Sequence, residues 1–125
     1  MPTGKKTHFE GDGKAVTVTL ITTIEANAVT LAQGFLGISN GAGGSGDTVA
    51  LSITRQEYQF TVPSALAVAK GDIVRIDTTA VVGTNIPPDN AYNKNALSAT
   101  NINLFKATAD KDANHVVTGI LLAGL

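Results

Sequence analysis

From residue 14 onward, apolar and polar side chains alternate through most of the chain. Val16, Val18 and Leu20 are separated by Thr17 and Thr19, the period-two pattern of a strand with one buried face. A second apolar stretch covers residues 29–31 and continues, past Gln33-Gly34, into Phe35, Leu36, Gly37 and Ile38; it predicts a strand turned at Gly34. Val49, Leu51 and Ile53 alternate with Ala50, Ser52 and Thr54 after the run Asn-Gly-Ala-Gly-Gly-Ser-Gly at 40–46, predicting a hairpin-like pair joined by a flexible loop. Tyr58, Phe60 and Val62 alternate with Gln59 and Thr61 as core residues do, until Pro63 removes a backbone donor and ends the ladder.

Residues 64–69 fit one short helical turn with Ser64 as its N-cap. Gly71-Asp72 signals a turn before a short strand at 73–76, and two more strands are predicted near 103–108 and 115–122, around a polar turn at 110–114. In the last strand Val116, Ile120 and Leu122 occupy one face and Val117 and Leu121 the other, which places it centrally in a sheet or at a subunit interface.

Two segments break the pattern. Residues 1–13 carry no apolar periodicity and read as an arm, either a disordered tail or an extended staple on a neighbour. Residues 83–101 contain Pro87-Pro88 and Asn at 85, 90, 93, 95 and 101; so long a structureless stretch inside a compact domain predicts a contact loop, with Tyr92 as its exposed anchor. The expected fold is all-β: a small barrel or sandwich of short antiparallel strands over 14–125, one domain, with an extended N-terminal arm and one long Asn-rich loop.

Composition narrows the function. The 125 residues are 43% hydrophobic but only 5% aromatic, so the core is built from Val, Ile, Leu and Ala. The net charge is −1 and the nine basic residues are dispersed, which argues against nucleic acid as a partner. Cysteine is absent, which suits assembly in a reducing cytoplasm and removes thiolate zinc chemistry. No secretion-type apolar segment follows Lys5 and Lys6, and no apolar run approaches the ~20 residues of a membrane span; a soluble protein with no membrane partner is expected.

Candidate chemistry is thin. Gly41, Gly43 and Gly46 match G-x-G-x-x-G, yet the β-branched run that follows replaces the helix a dinucleotide site requires. Asp110, Asp112 and Asn114 have the spacing that opens a calcium loop, but His115 and Leu121 stand where glycine and a bidentate glutamate are needed, so a turn is the better reading. His8 and His115 have no local partner motif for nucleophilic catalysis. Asp72 and Asp77 flank one strand, but without the aromatic platforms of a sugar cleft they do not define a glycosidase pair. No enzyme activity and no cofactor or metal is expected.

The order of these segments resembles the capsid cement, or head decoration, proteins of tailed bacteriophages. The matching residues are 29–38 with Gln33-Gly34 before Phe35-Leu36-Gly37-Ile38, then Gly46-Asp47-Thr48-Val49, Tyr58-Gln59-Phe60-Thr61-Val62-Pro63, Lys70-Gly71-Asp72-Ile73-Val74, Leu104-Phe105-Lys106-Ala107-Thr108, and the closing strand at 115–122. The chain departs from the commoner pattern by the Asn-rich insertion at 83–101 and a lengthened arm. The resemblance implies a β-barrel-like subunit, commonly a homotrimer, bound to the major capsid protein on the outside of the virion after synthesis in the host cytoplasm. In that setting Pro2, Thr3, Lys5, Lys6 and Phe9 of the arm are expected to contact the capsid, and Pro87, Pro88, Asn90, Tyr92 and Asn93 a sister subunit or the capsid. The competing reading is a non-catalytic β-module for carbohydrate or a host surface protein, against which the low aromatic content counts. A minor enzyme subunit or nucleic-acid-processing factor is a third, disfavoured by the missing basic patch and catalytic signature.

Overall fold

The computed structural model describes residues 15–124. The chain is all-β, and its strands form two antiparallel sheets. The first has the order β1-β4-β3-β2, from Ala15–Thr19, Thr48–Ser52, Phe35–Ser39 and Val29–Ala32. The second has the order β5-β9-β8-β6-β7, from Glu57–Thr61, Val116–Leu121, Asn101–Ala107, Ile73–Asp77 and Tyr92–Asn93. The alternating segments at 16–20, 49–54 and 58–62 and the short segment at 73–76 thus supply strands, and β9, apolar on both faces, is interior to its sheet, between β5 and β8.

Gln33 and Gly34 connect β2 to β3 with φ of 49° and 83°. Two positive φ values in a two-residue connection define the turn whose twist matches antiparallel strands, and glycine takes the second position without a Cβ penalty. Gln33 is also held from its side chain, where Oε1 accepts the Thr19 amide at 2.9 Å.

Because successive strand residues point to opposite faces, the first sheet contributes to two cores. Leu36 and Ile38 face the second sheet and join Phe60, Val74, Ile76, Leu104, Phe105, Val117 and Leu121 in the main core. Ala32, Val18, Val49 and Leu51 face the other way, and with Leu20 and Ile24 they make a smaller core. At the centre of the main core the Phe60 and Phe105 rings stack, with centroids 4.1 Å apart and planes within 8°. Gly119 makes this possible: a Cβ there would lie 2.4 Å from Phe105 Cδ2.

Two local expectations are corrected. Residues 64–69 form no helical turn; a β-turn closes there with the Leu66 amide donating to the Pro63 carbonyl, since so short a segment gains too few helical bonds to offset its ordering. The glycine-rich loop at 40–46 is tied rather than free. Gly43 bridges Ile24 with both main-chain bonds, Gly46 donates to the Leu20 carbonyl, and the Asp47 carboxylate accepts the Gly44 amide. A Cβ on Gly43 would sit 3.1 Å from Leu20 and 3.2 Å from Val49, so that glycine lets the loop pack against the smaller core.

Candidate interaction surface

The long segment at 83–101 is not structureless, and Asn85 is what organises it. Its side chain is buried, with 3% of its surface exposed. Oδ1 accepts the amides of Ile21 at 2.8 Å and Thr22 at 3.1 Å, and Nδ2 donates to the Leu31 carbonyl at 3.0 Å. The Leu31 amide donates to the Asn85 carbonyl, and the Asn85 amide to Thr22 Oγ1. One residue therefore pins the segment to the chain after β1 and to the outer edge of β2. Further along, a 3-10 turn at Asp89–Ala91 buries Ala91 and leads into β7. Asn93 and Asn101 then exchange side-chain amide bonds at 2.8 and 2.9 Å. Arg75 holds the rest, its guanidinium donating to Asn103 Oδ1 and to the Asn95 carbonyl.

This order redistributes the expected contact residues. Pro88 and Asn90 are exposed, but Pro87 is buried and Tyr92 and Asn93 are half-buried. Tyr92 is a strand residue paired with Ile76 and packed against the main core, not an exposed anchor in a polar loop. Burial, and secondarily the charge of Asp89, push its phenol up to about 12. The capsid-arm residues Pro2, Thr3, Lys5, Lys6 and Phe9 lie outside the described residues.

A cleft of about 450 Å³ opens where the two sheets meet. It is lined by residues 27–29 at the edge of β2, by residues 58–61 of β5, and by Ile38, Ile86 and Tyr92. Both flanking strands are edges of their sheets. In β5 the main-chain bonds from Val62 to His115 and from Leu121 to Gln56 direct the even-numbered groups toward β9, so those of Glu57, Gln59 and Thr61 face outward. On β2 the outward groups are those of Val29 and Leu31. Asn85 satisfies the Leu31 pair, which leaves the Val29 pair beside the cleft without a partner among the described residues.

Elsewhere large apolar side chains reach solvent. Val82 is 80% exposed, Ile21 58%, Leu97 57% and Phe35 46%. The Asn85 bonds tie the chain at Ile21 to the segment that follows Val82, and the Thr19–Gln33 bond ties the end of β1 to the β2–β3 turn that precedes Phe35. The sequence carried a signal for two of these: Leu20-Ile21 and Val81-Val82 are adjacent apolar pairs, and an extended chain buries one member and exposes the other.

The polar groups singled out as candidate chemistry have structural occupations. Asp112 accepts the amides of Asn114 and Val116, and Asp110 accepts that of Lys70, so both shape turns. Asp77 caps the 3-10 turn at Thr79. Asp72 accepts the Ala69 amide and pairs with Lys94 at 3.2 Å, and these contacts, the amide first, hold its carboxyl below the usual carboxylate range. His115 sits at positive φ of 63°, and its Nδ1 is buried with no hydrogen-bond partner among the described residues. Among the described residues no group of three or more His, Asp or Glu is placed to hold a metal, and no helix is long and apolar enough to cross a membrane. No protein-family model matches the chain, and neither a curated protein nor a solved structure matches it.

Proposed function

We propose that this chain is a capsid cement subunit: a non-catalytic β-body that binds the outer surface of a mature icosahedral phage head and assembles there as a homotrimer. The observation that carries the reading is the exposure of the large apolar side chains Ile21, Val82 and Phe35 on segments that the Asn85 and Gln33 hydrogen bonds tie together. Surface apolar groups clustered within a polar rim mark protein–protein contact. Pro88 and Asn90, exposed in the turn at Asp89–Ala91, extend this contact toward a sister subunit. The lysines at 5 and 6 and the neighbouring Pro2, Thr3 and Phe9 supply the arm that engages the major capsid protein through charge and extended backbone.

The mechanism is thermodynamic linkage. A subunit that bridges neighbouring capsid proteins only in their expanded arrangement stabilises that arrangement against the pressure of packaged DNA, and many copies acting together multiply the effect. Co-sedimentation of the purified protein with shells that lack it, before and after expansion, tests this. Saturable binding confined to expanded shells is the expected result. Failure to bind either form refutes the reading and turns attention to glycan and host-surface ligands.

A further inference from the structure

We propose that the cleft between the β2 and β5 edges is the seat of this chain's own N-terminal segment, with Phe9 as the side chain that fills it. The cleft has the chemistry of a strand receptor. Outward main-chain groups of Val29 flank it on one side and those of Gln59 and Thr61 on the other, none of them paired within the described residues. Unpaired edges of this kind select an extended polypeptide, because only a backbone presents donors and acceptors at matching intervals. Between the edges, Ile38, Phe60, Ile86 and Tyr92 offer an apolar lining, and about 450 Å³ is ample for one aromatic side chain. Asn85 caps the remainder of the β2 edge at Leu31, so the open stretch is confined to the cleft.

The occupant is set by where the chain enters the fold. Ala15 begins β1 and pairs with Ser52, Ser52 pairs with Ile38, and Ile38 with Val29. Those four residues make one row across the first sheet, and its last two members line the cleft. Two strand spacings, about 10 Å, separate Ala15 from Ile38, whereas the six residues from Phe9 to Ala15 span up to about 20 Å when extended. Phe9 is the sole Phe, Tyr or Trp upstream of Ala15. Seating it withdraws Phe9 from the arm's capsid contacts and leaves Pro2, Thr3, Lys5 and Lys6 beyond the cleft, available to a partner. The inference concerns the subunit by itself and does not depend on the cement reading.

The absence of native cysteine permits a direct test. In a Glu10→Cys/Ala28→Cys variant of the full chain, mild oxidation at low protein concentration is expected to give an intrachain disulfide, reduced at least fivefold when Phe9→Ala is added. A disulfide formed chiefly between chains assigns the cleft to a second copy and overturns the proposal, as do no disulfide and a yield indifferent to Phe9→Ala. A second measurement leaves the β body unaltered. Tyr58 and Tyr92 both line the cleft and are the only tyrosines in a chain without tryptophan, so acrylamide quenching of the intrinsic fluorescence reports on the cleft. Phe9→Ala alone is expected to raise the quenching constant about twofold; an unchanged constant refutes the seat.

Discussion

Replacing Asn85 with Ala removes every side-chain hydrogen bond of residue 85 while sparing the main-chain bond from the Leu31 amide to its carbonyl. The lost partners are the amides of Ile21 and Thr22, the Thr22 hydroxyl at 3.5 Å, and the carbonyl of Leu31. A made hydrogen bond contributes about 0.5–1.5 kcal/mol, and a buried polar group left without one costs about 1–3 kcal/mol. Ile21 is itself well exposed, so water recovers part of the loss at its amide, and the Thr22 amide and Leu31 carbonyl dominate. The expected loss is about 3 kcal/mol, a large share of the ~5–15 kcal/mol that holds a domain of this kind together. For this chain length that corresponds to a fall in Tm of roughly 10–15 °C. Urea denaturation followed by circular dichroism is the assay, and the midpoint should fall while the slope stays constant. A loss below about 1 kcal/mol would show that water replaces the amide and that Asn85 does not hold the segment. Since the Leu31 carbonyl needs a donor, Asn85→Asp should recover little of the stability despite its similar size.

Three further outcomes follow from the same geometry. Gly119→Ala should destabilise by about 1–3 kcal/mol through overpacking, because its Cβ would meet Phe105 at 2.4 Å and Phe105 is stacked on Phe60; thermal unfolding checks this, and an unshifted Tm contradicts it. In a Tyr58→Phe background, absorbance at alkaline pH should place the Tyr92 midpoint near 12 rather than 10. The folded state then keeps a proton that the unfolded state releases, so the associated stability, about 2–3 kcal/mol, is intact below pH ~10 and lost as pH rises through ~12. Finally, Ile21→Asp combined with Val82→Asp should weaken binding to expanded shells at least tenfold with an unchanged Tm, since both side chains are exposed; undiminished binding removes these two side chains from the interface.

Strands with one buried face were legible because alternation is written locally. Val16 to Leu20, Val49 to Ile53 and Tyr58 to Val62 declare themselves within a few residues, and the doubly apolar β9 declares its interior position. Gln33-Gly34 declares its turn through the glycine that positive φ favours. The segment at 83–101 was opaque for the opposite reason. Its anchor at Asn85 depends on partners 54 to 64 residues away, and no local pattern separates an asparagine that will be buried and saturated, such as Asn85, from an exposed one such as Asn90. Tyr92 was misjudged on the same ground, since its polar neighbours are themselves paired inward through Asn93 and Asn101. The cleft was invisible as well: it lies between strands far apart in the chain, and pairing parity, known only once neighbours are assigned, decides which backbone groups remain open.

The Asn85 pin also has a temporal side. Leu31 precedes Asn85 by 54 residues, and at synthesis rates of about 5–20 residues per second the edge of β2 waits roughly 3–11 s before its cap exists. Closure of such a distant contact also follows, rather than leads, formation of the local hairpins. A nascent chain therefore passes through an interval in which β2 and β3 can pair while the outer edge at Leu31 is open to any other strand, including that of a neighbouring nascent copy. Asn85 ends that interval, and a chain carrying Asn85→Ala would leave the edge partly open for as long as the protein lasts.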